Sequence, residues 1–85
     1  MNPPKIVSAH AIDDVTLLVE FSNHDRKHYS IEKLLEKPMF LLLQNPSFFR
    51  SFRVDDGGYG IVWNDEIDLS EHELWQNGKN VEVRM

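Results

Sequence analysis

The chain has 85 residues, 41% of them apolar, no cysteine, and a net charge of −5 at pH 7. That length allows one domain, spanning 1–85, which buries only about 60% of its unfolded surface. The composition excludes disulfides and thiolate metal sites, and two Trp, two Tyr and five Phe argue against disorder.

Ile6 to Ala11 reads as a strand, ended by the turn-forming pair Asp13-Asp14. From Val15 to Phe21 the pattern alternates, with Val15, Leu17, Val19 and Phe21 on one face and Thr16 and Glu20 on the other. Ser22-Asn23-His24-Asp25 is a polar turn, and Arg26 to Tyr29 returns as a third strand, completing a meander. Ser30 is placed to cap a short helix through Ile31 and Leu35, which Pro38 stops. Asn45-Pro46 repeats that logic, with Asn as cap and Pro at the first helical position of one or two turns through Phe49. Phe52 and Val54 alternate with Arg53 as a strand.

Asp55 to Gly60 is a glycine-rich loop before a strand from Ile61 to Trp63, and Asn64-Asp65 marks a tight turn with Ile67 pairing briefly after it. Ser70 and Glu73 have capping-box spacing, and Leu69 and Leu74 stand where a hydrophobic staple needs them. The helix they open runs from Glu71 to about Gln76, with Gly78 past its end. The tail, 79–85, alternates from Val81 to Arg84 and is either an edge strand or frayed. The fold class expected is α+β: an antiparallel β-meander with short helices packed against the sheet.

Several ordered segments carry a family resemblance: Lys37-Pro38-Met39-Phe40, Asn45-Pro46-Ser47-Phe48-Phe49-Arg50, Phe52-Arg53-Val54-Asp55, Gly60-Ile61-Val62-Trp63, then Asp68-Leu69 and Leu74. Preceded by strand, polar turn, strand and short helix, they resemble the bacterial domain-of-unknown-function family 2442 over nearly the whole chain. The resemblance implies a small α+β fold with a meandering antiparallel sheet and no settled activity. Some members of that family stand alone and others are fused to helix-turn-helix DNA-binding domains. Some are thought to be encoded beside a second small protein, which implies a regulatory or toxin–antitoxin-like pair. This chain has Asn64-Asp65-Glu66 where members often carry Pro-Asn-Gly, and it has no appended helix-turn-helix.

No catalytic set can be assembled from the residues. Asp55, Gly60, Val62 and Glu66 match positions 1, 6, 8 and 12 of a calcium loop, but Gly57 and Tyr59 at the centre offer no carboxylate. His10, His24, His28 and His72 are scattered and lack the spacing of a zinc site. Ser30 and Ser70 are explained as caps, and the remaining serines lie in no nucleophile elbow. Gly57-Gly58-Tyr59-Gly60 lacks the Lys-Ser/Thr of a phosphate loop. No cofactor, metal or catalytic residue is therefore expected. The alternative reading is a small metal-dependent or hydrolytic enzyme using the carboxylates between Asp55 and Asp68.

Charge is unevenly placed. Residues 1–54 hold seven Lys/Arg and six Asp/Glu, net +1, while residues 55–85 hold two and eight, net −6. The acidic half disfavours direct nucleic-acid binding. No basic segment followed by an apolar stretch opens the chain, and the longest apolar run, Met39 to Leu43, is far below the ~20 residues of a membrane span. The reading is a cytoplasmic protein-interaction or regulatory module that binds another small protein or itself, not nucleic acid or membrane. Its contact surface is expected to be an open sheet edge with Trp75, Phe49, Asp55, Asp56 and Glu71.

Overall fold

The computed structural model describes residues 3–81. Strands β1 (Ile6–Ala11), β2 (Thr16–Phe21) and β3 (Arg26–Ser30) form the expected meander. Two 3-10 helices follow, η1 (Glu32–Glu36) and η2 (Pro38–Gln44), then helix α1 (Pro46–Phe49). Strands β4 (Arg53–Val54), β5 (Gly60–Val62) and β6 (Asp68–Ser70) lead into helix α2 (Glu71–Asn77) and a short last strand, β7 (Lys79–Asn80). The expected antiparallel α+β architecture is present as two sheets, ordered β1-β2-β3-β7 and β4-β5-β6. Residues 82–85 of the expected tail lie outside the described residues.

The period-two pattern of β2 sets the first sheet. Leu17, Val19 and Phe21 are buried, and the residues between them face outward. Pairing Leu17 with Tyr29 and Val19 with Lys27 carries the same face into β3. In β1 the register slips between Ile6 and Ser8, leaving Val7 as a bulged, exposed residue. The buried faces of both sheets, the inner sides of η2 and α1, and Leu74 of α2 share one apolar cluster.

Local chemistry accounts for most boundaries. Asn45 caps α1, its Oδ1 accepting from Ser47 N at 2.9 Å and Phe48 N at 3.3 Å, with Pro46 at the first helical position. Asn64 closes the β5–β6 turn by accepting from Glu66 N and Ile67 N, both at 2.8 Å. The stretch after that turn, expected only as a brief contact at Ile67, is a full strand because Leu69 pairs with Ile61 and is buried between neighbours.

Two capping expectations change in detail. Ser30 is the last residue of β3, and the segment it precedes winds as a 3-10 helix with Ile31 as its cap residue. The Ser30 hydroxyl still accepts from Glu32 N at 3.2 Å. Ser70 does cap α2, accepting from Glu73 N at 3.1 Å. The Glu73 carboxylate, which a capping box would return to Ser70, instead accepts from the Tyr29 hydroxyl at 2.7 Å. Gly78 ends α2 with an ordinary φ of −73°, so no left-handed turn calls for glycine. A Cβ there would lie 2.5 Å from the Leu74 carbonyl oxygen and 3.1 Å from Lys27 Cβ, so the requirement is close approach.

Candidate functional site

Of the five residues expected at a contact surface, Phe49 is buried, Trp75, Glu71 and Asp55 are engaged by the fold, and Asp56 is exposed. Phe49 is fully buried at 0% exposure, stacked 6.3 Å from Trp63, whose indole N–H donates to the Phe49 carbonyl at 2.8 Å. Its expected surface role is thereby corrected. Phe48 and Phe49 are adjacent, and the helical turn sends Phe49 into the core while Phe48 is partly covered.

Trp75 is half-buried, not a free anchor. Its ring meets Phe21 edge-on at 5.1 Å, and the Lys27 ammonium stands 4.0 Å from the ring centroid while donating to the Trp75 carbonyl. Glu71 is also tied down. Its Oε1 accepts from Lys5 Nζ at 3.1 Å, its side chain is 14% exposed, and its Oε2 is buried without a partner among the described residues. Asp55 serves its own turn, with Oδ2 accepting from Gly57 N at 3.1 Å and its carbonyl from Gly58 N at 2.8 Å. Gly58 takes φ +74° there, against the Ile6 backbone. Asp56 alone of the five is freely exposed.

The carboxylates between Asp55 and Asp68 spread over two turns and a strand, and no group of three or more His, Asp or Glu poised to hold a metal occurs among the described residues. His10 and His28 do share a row on the outer face of the first sheet, on either side of Leu18. Two strand spacings, about 9.5 Å, separate their backbones, and no third ligand joins them among the described residues. His24 occupies the β2–β3 turn with φ 74°.

Two other surfaces stand out. The first is η2. In a 3-10 helix side chains three apart eclipse, so Phe40 and Leu43 point together into the core at 8% and 1% exposure. That phase turns Met39, Leu41 and Leu42 outward at 61%, 50% and 56% exposure. Three large apolar side chains thus crowd one seven-residue element. Exposed Glu36 and Lys37 precede it in the chain. The apolar run was visible in the sequence, but its outward phase was not, because the three-residue period is set only once Phe40 and Leu43 find the core.

The second is a groove of about 530 Å³ beside the end of β3, walled by η1 on one side and by the end of α2 with β7 on the other. Tyr29 and Glu73, joined by their hydrogen bond, form its inner end. Burial, and next the Glu73 carboxylate it donates to, push the Tyr29 phenol above its usual range, so it stays a neutral donor. Lys33 and Lys79 stand on opposite walls.

The profile of the family DUF2442, described as a protein of unknown function, matches residues 6–80. Comparisons with curated proteins and with solved structures returned no match.

Proposed function

Because the chain belongs to the DUF2442 family, whose description assigns no activity, we propose from the surface itself that it is a non-catalytic protein-interaction module. The observation that carries this reading is the outward triplet Met39, Leu41 and Leu42. Scattered exposed apolar residues need no explanation, but three large ones on a single short element, Met39 and Leu42 in one row and Leu41 in the next, concentrate exposed apolar surface as contact sites do. The partner is a second small protein, so that the pair acts as a regulatory or toxin–antitoxin-like unit, or it is another copy of this chain.

The test is capture of a stoichiometric partner from the native cells by the wild-type chain and by a Leu41→Ser/Leu42→Ser variant, with light scattering of the purified chain alongside. Retention by wild type and loss by a variant that still melts cooperatively supports the reading. A variant that retains the same partner, or a wild-type chain that stays monomeric and captures nothing, overturns it.

A further inference from the structure

The groove beside β3 is a separate feature, and its main chain points to a ligand. Ile31 N donates to the Val15 carbonyl at 2.8 Å, and Phe21 N to the Asp25 carbonyl at 2.9 Å. Antiparallel ladders alternate, so the odd residues of β3 turn their main-chain groups toward β2 and the even ones toward the opposite edge. On that edge Val81 N donates to the Arg26 carbonyl at 3.0 Å, and Lys79 pairs with His28. Ser30 is next in the series, but no strand residue stands opposite it. The chain before Lys79 is Gly78 and then helix, with Gly78 N already donating to the Leu74 carbonyl at 3.0 Å. Among the described residues the Ser30 N–H and C=O therefore have no main-chain partner, and the residue lines the groove.

Charge supplies the second half of the argument. Neither Lys33 nor Lys79 forms an ion pair among the described residues. The Glu73 carboxylate accepts from the neutral Tyr29 hydroxyl and keeps its charge, so with Glu32 it balances the two lysines in the lining. What favours an anion is that both ammonium groups lack an ion-pair partner among the described residues. An open donor–acceptor pair flanked by two ammonium groups matches one chemical unit: a peptide amide followed closely by a carboxylate. Leu34 gives the wall apolar surface for a small side chain.

We propose that this groove binds the carboxylate-terminated end of an extended peptide, which adds one residue to the ladder at Ser30 and places its terminal carboxylate between Lys33 and Lys79. Main-chain pairing gives the position and the charge gives the preference for a terminus. Glu32 lines the same groove and opposes the carboxylate.

The test is an NMR titration of the isotopically labelled full chain with N-acetylated trialanine bearing a free carboxylate, at millimolar concentration. The same peptide with an amidated end, and acetate alone, form the other arms. The expected result is a saturable shift of the Ser30 amide, with binding weakened about tenfold or more by amidation. In a Lys33→Ala/Lys79→Ala variant the two peptides should bind alike, and Glu32→Gln should tighten the free-acid peptide. Equal binding of both peptides to wild type, full reproduction of the shift by acetate, or a Ser30 amide that never moves would each overturn the proposal. The titration contains no partner protein, so its outcome is independent of the η2 reading.

Discussion

Helices η2 and α2 are both seven residues long, and each buries a leucine in the same core, Leu43 and Leu74. They treat the rest of their surface differently. Around α2 the long side chains are tied: Ser70 caps its start, Tyr29 donates to Glu73, Lys5 pairs with Glu71, and Lys27 covers Trp75. Helix η2 has no side-chain cap and turns three apolar side chains outward. A short element finished by polar contacts to its own fold has little left for a partner. One whose apolar side chains remain uncovered does. The contrast is why the proposed interaction surface is placed on η2 and not around Trp75.

Predictions can break that contrast, and the largest concerns neighbours of the same type. Leu43→Ala should cost about 2–5 kcal/mol, through lost transfer energy and a cavity. Leu42→Ala, one residue earlier, should stay within about 0.5 kcal/mol. Denaturant unfolding of both checks this, and equal losses would sink the three-residue phase assigned to η2. Leu74→Ala should match Leu43→Ala, since both side chains are at 1% exposure or less.

Smaller effects sharpen the α2 side. Ser70→Ala should lower stability by about 1 kcal/mol, the usual value of a lost N-cap. Tyr29→Phe should cost about 1 kcal/mol and leave the Glu73 carboxylate without its donor. This pair also has a pH signature. The folded-state pKa of Tyr29 is raised above its ordinary 10.0, so the folded chain holds that proton more tightly than the unfolded chain. Its contribution is fully present below pH 10.0 and is lost as pH rises toward the higher folded value. The wild-type minus Tyr29→Phe stability difference should therefore shrink on alkaline titration, and a difference that stays flat above that pH would remove the account.

The smallest effect belongs to the β1–β2 turn. Asp13 has its pKa lowered, chiefly because it accepts from Val15 N at 2.9 Å and then through the Thr16 hydroxyl. A depressed carboxylate stabilises above its unfolded pKa and loses that contribution as pH falls through the folded one. Asp13→Asn should flatten a slight decline in stability below about pH 4.

How much was legible in the sequence varies along the chain. The meander could be read from alternation at Val15 to Phe21, because a strand with one buried face repeats every two residues whatever covers it. The caps at Asn45 and Ser70 were legible because a side chain two or three residues from an orphan N–H decides them locally. The second sheet was only half legible. Strand β6 has three residues, too few to show a period, and exists because Ile61 and Leu69 meet.

The surfaces are where local reading failed. Phe49 and Trp75 were expected to reach outward, yet one packs on Trp63 and the other lies between Phe21 and Lys27, contacts made across long stretches of chain. Met39, Leu41 and Leu42 formed part of an apolar run that could have been core. The sequence by itself determined the meander, the caps at Asn45 and Ser70, and the family, because each is written in local spacing. Which apolar side chains stayed outside, and which strand end stayed unpaired, was decided by the tertiary structure, because exposure depends on what remains to cover a residue after every stronger contact has formed.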